Sequence, residues 1–206
     1  MRLFVLTVAV AAALTAAAAA QPAPKPVPTP VPGGDAKGEA PKPPPRPRAT
    51  LDDLFKRLAE APSEREAGGI ANLIERRWAH SGSDTADLLM SRAGEAIGVK
   101  NYPLAVERLD RVIALEPGWA EAWNRRATTF YFLDDPVSAM ADIRQVLARE
   151  PRHFGAWAGL GHIYMGTGDK KRAVEAYRRA LAIHPHLSSV KTIVERTAPE
   201  VEGRDL

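Results

Sequence analysis

The chain has 206 residues, a formal net charge of +3 and no cysteine. Without thiols it has neither disulfides nor a cysteine for lipid attachment, so packing alone must stabilise the fold. Six basic and two acidic residues precede Thr50, and removing them from the totals of 28 and 25 leaves 22 basic and 23 acidic residues for the rest of the chain. This balance provides no basic surface for phosphates, and we expect no nucleic-acid partner.

Residues 1–20 have the pattern of a signal peptide. A charge at Arg2 is followed by an apolar stretch up to Leu14 and then by small residues. This order predicts export, with cleavage between Ala20 and Gln21 and a periplasmic or secreted mature protein. An uncleaved segment that anchors the chain in a membrane is the alternative, and only in that case do we expect membrane contact.

Residues 21–49 are rich in proline and carry a net positive charge. They hold 11 of the 18 prolines, a density that prevents both helices and sheet ladders. We expect a disordered, basic linker that acts as a soluble tether. Contact between its lysine and arginine side chains and an anionic membrane or wall surface is the second interpretation.

Residues 50–84 predict a pair of helices. Thr50 is placed to cap the first helix, whose apolar residues recur at helical spacing until a proline ends it. The second helix is predicted from Glu64 to Ala79. Its alanine spacing matches that of the repeats described next, so we interpret the pair as a degenerate repeat that covers their N-terminal end.

Three segments align without a gap at a period of 34 residues: 86–119, 120–153 and 154–187. In each first helix a large residue is followed four positions later by a small one, and each second helix carries an alanine and a large apolar residue at matching positions. These spacings place the matched residues on the facing sides of a helical hairpin. The predicted repeat core consists of Leu89, Ala93, Trp123, Ala127, Trp157, Gly161, Tyr164, Ala173 and Tyr177.

The third segment carries a recognisable pattern. It reads Ala156-Trp157-x-x-Leu160-Gly161-x-x-Tyr164, followed by Gly168-Asp169, Ala173, Tyr177 and Pro185. This pattern resembles the tetratricopeptide repeat (TPR). The resemblance implies an all-α fold: a right-handed α-α superhelix of three TPR-like helix hairpins, with the degenerate N-terminal helix pair and a C-terminal capping helix. The amphipathic segment 188–198 is the predicted cap, which stops before Pro199, and residues 199–206 form a tail.

The resemblance also implies that the first helices line a concave groove that takes a peptide or a helix of a partner. The period places nine residues there: Met90, Ile97, Glu121, Asn124, Arg125, Thr128, Tyr131, His162 and Met165. The apolar set Ile97, Tyr131 and Met165 is the preferred contact surface, unless neighbouring helices cover it. Some TPR modules hold the carboxylate tail of a chaperone with charged and amide side chains. Here Met90 and glycines occupy most of those positions, so we expect a different ligand.

The sequence contains no pattern typical of catalysis. Motifs of nucleophilic, zinc-dependent and phosphate-binding sites are absent, and we predict no catalytic residue, no metal site and no cofactor. Of the five histidines only His184 and His186, on either side of a proline, have a spacing that suits a metal, and this pair is interpreted as surface residues. We therefore predict a non-catalytic scaffold of the cell envelope that binds a protein or peptide partner. A membrane-anchored spacer module is the alternative.

Overall fold

The computed structural model describes residues 49–203, and these residues form nine helices and no strand. The predicted signal peptide, residues 21–48 of the predicted linker and residues 204–206 of the tail lie outside the described residues. The helices are α1 Leu51–Ala59, α2 Glu64–Trp78, α3 Asp84–Gly98, α4 Tyr102–Leu115, α5 Ala120–Phe132, α6 Pro136–Arg149, α7 Phe154–Gly166, α8 Lys170–Ile183 and α9 Ser188–Glu202. The all-α expectation is confirmed. Within residues 49–203, no helix has the length and apolar character needed to cross a bilayer.

Polar side chains determine where most of these helices begin. The hydroxyl of Thr50 accepts a hydrogen bond from the N–H of Asp53, and the Asp53 carboxylate accepts one from the N–H of Thr50, which confirms the predicted cap. The other side-chain caps are Ser63, Ser83, Asn101, Asp135, His153 and Asp169. Because each cap satisfies a backbone N–H that has no partner inside its helix, these helix starts are local properties of the sequence.

The three repeats form three helical hairpins: α3 with α4, α5 with α6, and α7 with α8. Ala93, Ala127 and Gly161, the small residues of the three first helices, are all buried. In the third hairpin a Cβ atom on Gly161 would overlap the ring of Tyr177. Glycine therefore permits an approach between α7 and α8 that no other residue allows.

Trp123 and Trp157 occupy corresponding places in consecutive repeats. The indole N–H of Trp123 donates to the carbonyl of Pro117 at 3.0 Å, and the indole N–H of Trp157 donates to the carbonyl of Pro151 at 2.9 Å. Each indole thus binds the turn that closes the preceding repeat. Since the same bond recurs one period further along, the hairpins stack in register and form the α-α solenoid that the resemblance implies.

The N-terminal pair α1–α2 does not cover the first repeat, and this part of the sequence-based expectation is wrong. The apolar residues of the pair form a cluster with Phe154 at the start of α7 and with Ile183 and Leu187 at the end of the third repeat. α1 lies against α8. The ring of His186 also contacts the carbonyl of Ala61, with 2.8 Å between Nε2 and the oxygen. The pair therefore packs on the last repeat instead of the first.

The segment between α2 and α3 accounts for this placement. The carboxylate of Asp87 accepts hydrogen bonds from the N–H of Ser81 at 2.9 Å and from its hydroxyl at 2.7 Å. The indole of Trp119 donates to the carbonyl of Trp78 at 2.6 Å. These bonds fix the chain at the end of α2, and the ring of Trp78 stacks on His153 with 4.2 Å between centroids. The apolar face of the pair thus meets the third repeat.

The C-terminal helix α9 passes through Pro199 instead of stopping before it, and it ends at Glu202. Proline has no N–H, so this turn lacks one backbone hydrogen bond. Two ion pairs with α8 stabilise the extra turn: Lys170 binds Glu200 at 2.6 Å, and Arg178 binds Glu202. The predicted end of the helix was wrong because these stabilising partners lie in another helix.

Candidate functional site

A cavity of about 330 Å³ lies between α5 and α7 of the second and third hairpins, and we call it the α5–α7 pocket. Its apolar lining comes from Ala127, Phe132, Ile143, Ala156, Ala158 and Ile163. Its polar lining comes from Asn124, Thr128, Tyr131 and His162. A concave apolar surface with a few polar groups is the usual composition of a site that takes an apolar group and orients it by hydrogen bonds.

Two glycines of α7 give the pocket its depth. Gly155 and Gly159 both line it, on the side of α7 that faces α5. A Cβ atom on Gly159 would meet only the Cδ1 atom of Ile143, at an ordinary contact distance of 3.7 Å. The space above Gly159 therefore belongs to the pocket and is not needed for helix packing, in contrast to the space at Gly161.

A second cavity, of about 430 Å³, adjoins the first where α2 faces α5. Asn72, Glu75 and Arg76 of α2 line one side, and Glu121 and Arg125 of α5 line the other. Asn124, Thr128 and Gly155 line both cavities, so the two are continuous. We call the two cavities together the groove. Helix α2 of the N-terminal pair thus forms one of its walls.

Glu121 organises the polar end of this groove. Its carboxylate accepts hydrogen bonds from Asn124 at 2.9 Å and from Arg125 at 2.7 Å, and it lies 3.4 Å from Nε2 of His153. Burial alone would raise the pKa of Glu121, but the bonds and charges of His153 and Arg125 outweigh it and lower that pKa. Across the cavity, burial and the charge of Glu121 raise the pKa of Glu75. Nδ2 of Asn124 and Nε of Arg125 therefore already donate to a carboxylate of the protein.

His153 and His184 are buried, and for His184 this corrects the interpretation as a surface residue. His153 lies between Trp78 and Glu121; its Nδ1 accepts the N–H of Ala156 at 3.0 Å, and its Nε2 faces Glu121. His184 packs edge-on against the ring of Phe154. Both residues serve packing at the junction of α1–α2 with the third repeat. Among residues 49–203 no group of three or more histidine, aspartate and glutamate side chains could hold a metal ion.

His162 connects the pocket to the core of the third hairpin. Its Nδ1 lies 2.8 Å from the hydroxyl of the buried Tyr177. Burial raises the pKa of Tyr177 to about 12, so the hydroxyl remains protonated and donates this bond. Burial also lowers the pKa of His162, which favours the neutral ring with its proton on Nε2. The hydrogen bond from Tyr177 therefore fixes the orientation of the His162 ring in the pocket.

The structure brings six of the nine predicted groove residues together. Asn124, Thr128, Tyr131 and His162 line the α5–α7 pocket, and Glu121 and Arg125 line the adjoining cavity. Met90 packs half-buried against the cluster of Val112, Ile113 and Ala122, Met165 packs half-buried against α8 and α9, and Ile97 lines neither cavity. The preferred apolar set thus contributes only Tyr131 to these two cavities. The predicted set did not include the α2 wall, Phe132 or the two glycines, although the run of glycines in α7 was visible in the sequence.

Comparison with known proteins gives the family. The model of the tetratricopeptide repeat matches residues 155–187. A TPR repeat-containing protein of Rhizobium etli is 40% identical over 153 residues, which cover 74% of this chain and 75% of that protein. The chain belongs to the tetratricopeptide repeat family. TPR domains mediate protein–protein interactions, and the chain is therefore an interaction module built from TPR hairpins.

Solved TPR structures share the fold. The TPR domain of Sgt2 from Aspergillus fumigatus superposes with a TM-score of 0.54 at 22% identity, over 58% of this chain and 81% of that domain. The first TPR domain of Spaghetti (RPAP3), bound to an HSP90 peptide, superposes with a TM-score of 0.55 at 15% identity, over 57% of this chain and 94% of that domain. At these identities the likeness concerns the fold of the TPR hairpins, and the ligand of this chain must be argued from its own groove.

Proposed function

We propose that this TPR protein is a non-catalytic scaffold of the cell envelope that holds an extended peptide or a helix of a partner protein in its concave groove. An apolar side chain of the partner occupies the α5–α7 pocket. The observation that carries the proposal is this cavity of about 330 Å³, apolar in its walls, polar at Asn124, Thr128 and His162, and open above Gly159. The envelope location rests on the signal-peptide pattern of residues 1–20.

The electrostatics of the groove favour a partner segment without a terminal carboxylate. Asn124 and Arg125, which could orient such a group, already bind Glu121. A second carboxylate would have to approach both Glu121 and Glu75 in a partly buried site, where like charges repel strongly. Capture of an acidic chaperone tail is thus disfavoured, and an apolar contact with hydrogen bonds to the peptide backbone is favoured.

Crosslinking inside the cell tests the groove. A photoreactive phenylalanine analogue replaces Tyr131, which lines the pocket and is partly exposed. We expect a discrete crosslinked product that disappears when Gly159→Leu fills the pocket. Gly94→Leu is the matched control, because Gly94 lies on α3 with open space around it and lines neither cavity. Loss of the product in both variants, or in neither, would contradict a specific role of the α5–α7 pocket.

The envelope location is tested separately by N-terminal sequencing of the protein recovered from fractionated cells. A chain that begins at Gln21 in the periplasm or the medium supports a released scaffold. A chain that retains residues 1–20 in the membrane fraction supports the spacer module instead, and a cytosolic chain that retains them contradicts export altogether.

A further inference from the structure

An exposed apolar surface lies next to the groove, at the turns between the two helices of the first and second TPR hairpins, and shares Phe132 with the α5–α7 pocket. Its members are Val99 (77% exposed), Phe132 (50%), Leu133 (40%) and Val137 (72%), and we call them the turn patch. The ring of Tyr102 stacks on Phe132 with 5.3 Å between centroids, which connects the first turn to the second. Large side chains exposed side by side in this way are typical of a surface that binds another protein.

The turn patch is confined to these two repeats. At the corresponding turn of the third repeat, Thr167 takes the place of Val99 and Leu133, Gly166 that of Phe132, and Lys171 that of Val137. The apolar side chains are therefore not a requirement of the hairpin turn, because the third hairpin makes the same turn without them.

Each of the two turns also carries a charged residue in a backbone conformation that suits glycine. Lys100 has a φ of 58°, Asp134 has a φ of 59°, and the third repeat has Gly168 with a φ of 83° at the same place. Lysine is strained in this left-handed region, whereas aspartate tolerates it better. Neither side chain forms a hydrogen bond or an ion pair with any of residues 49–203. The left-handed backbone lets the N–H of Asn101 bond back to the carbonyl of Ala96 at 2.8 Å and so closes α3, but the side chain of Lys100 adds no contact of its own within this part of the chain.

Opposite charges at equivalent positions of two adjacent turns are complementary to each other under a two-fold rotation. An axis that passes between the first and second turns sets the first turn of one copy against the second turn of the other. Lys100 of each copy then faces Asp134 of its partner, so the attraction occurs twice. Val99 faces Leu133 in the same way, and the apolar side chains of both copies are covered. A dimer of this kind uses both charges and all members of the turn patch.

We propose that the turn patch is a self-association surface, through which two copies of this chain pair about a two-fold axis with Lys100 of one copy opposite Asp134 of the other. The occupant is a second copy because the patch is complementary to itself under this rotation, in charge and in apolar character. This inference does not rest on the proposed function, because Lys100 and Asp134, which determine the pairing, line neither the α5–α7 pocket nor the adjoining cavity.

Charge reversal and charge swapping test the proposal. Residues 1–206 are expressed with a C-terminal tag, and the dimer dissociation constant is measured by sedimentation equilibrium. We expect Lys100→Glu and Asp134→Lys each to weaken the dimer by about tenfold or more, since each turns two attractions into two repulsions. The double variant Lys100→Glu/Asp134→Lys restores the attraction and should return to within about threefold of the original constant.

Two further variants make the result specific. Val137→Glu places a charge in the apolar part of the patch, in the first turn of α6 where an acidic residue suits the helix, and should abolish association without unfolding. Lys171→Glu makes a matched change at the same position of the third repeat and should leave the constant unchanged. The proposal is overturned if the unaltered chain is monomeric throughout the dilution series. It is equally overturned if the single reversals have no effect or if the swap is no stronger than either of them.

Discussion

The second and third hairpins have helices of equal length, yet different chemistry joins their two helices. In the third hairpin the ring of Tyr177 covers Gly161, and its hydroxyl binds His162 at 2.8 Å. In the second hairpin the guanidinium of Arg126 binds the buried Asp142 through two bonds of 2.7 and 2.8 Å and also reaches Asp110 of α4 at 2.6 Å. At the positions of Gly161 and Tyr177 the second hairpin has Ala127 and Ile143, which pack in one cluster. The repeat therefore specifies helix spacing, and the ion pair is an additional contact of the second hairpin, at the positions of Leu160 and Ala176 in the third.

Breaking the ion pair should have the largest effect. Arg126→Ala leaves Asp142 buried without its partner, and we expect the free energy of unfolding to fall by about 3 to 5 kcal/mol in a denaturant titration. Arg111→Ala is the control, because Arg111 and Glu107 are an exposed pair on one helix and the loss there should stay below about 1 kcal/mol.

Replacing both partners shows whether the charges themselves are needed. Arg126→Leu/Asp142→Leu removes the buried carboxylate together with its partner, and most of the lost stability should return. A double variant as unstable as Arg126→Ala would show that the second hairpin, unlike the third, depends on ionic bonds as such.

Overpacking the third hairpin should have an intermediate effect. Gly161→Leu forces a side chain into the ring of Tyr177 and should cost roughly 1 to 3 kcal/mol of unfolding free energy, measured by thermal denaturation. Gly159→Leu, two residues away on the same helix, faces the open pocket and should leave the melting temperature near that of the parent. Equal losses in the two variants would mean that α7 is rotated relative to the described packing.

Lowering the pH should have the smallest effect, and it should come from the third repeat. Burial lowers the pKa of both His162 and His184 below 6.5, so the unfolded chain binds these protons more tightly than the folded chain does. Their contribution to stability is complete above pH 6.5 and is lost as the pH falls through the lowered pKa values. Denaturant titrations between pH 7.5 and pH 5 should show this decline.

Two variants assign the decline to its source. His162→Gln should make it shallower, because it removes one of the two groups. The double variant Arg126→Leu/Asp142→Leu should keep the full pH dependence of stability between pH 7.5 and pH 5, since it retains both histidines. A decline that becomes shallower in this double variant would instead place the pH sensitivity in the second hairpin.

The elements that sequence reasoning predicted correctly are those whose causes are local. The period of 34 residues, the buried small residues of the first helices and the cap at Thr50 all follow from residues close together in the chain. The ion pair of Arg126 was not foreseen, although Arg126 was visible as a departure from the leucine at the matching position of the third repeat. Its partner Asp142 lies 16 residues away on another helix, and the sequence does not indicate which acid it binds.

The candidate site was only partly predictable for the same reason. The period placed Asn124, Thr128, Tyr131 and His162 on one side of the groove, because their helices repeat one another. It could not place α2, whose apolar stripe suits either end of the repeats. The contacts of Trp78 with His153 and of Asp87 with Ser81 determine where α2 packs, and they form only in the folded chain.

The contact of α1–α2 with the end of the third repeat has a consequence for how the protein unfolds. In a linear array of repeats each unit touches only its neighbours, so terminal units can fray while the middle stays folded. Here the first helix pair and the last hairpin share one cluster around Phe154, and Ser188 at the start of α9 binds Glu64 at the start of α2. Neither end can therefore detach without exposing the other. The molecule should therefore unfold in a single cooperative transition. Inserting a fourth hairpin would separate the N-terminal pair from the last hairpin and remove the contact between them.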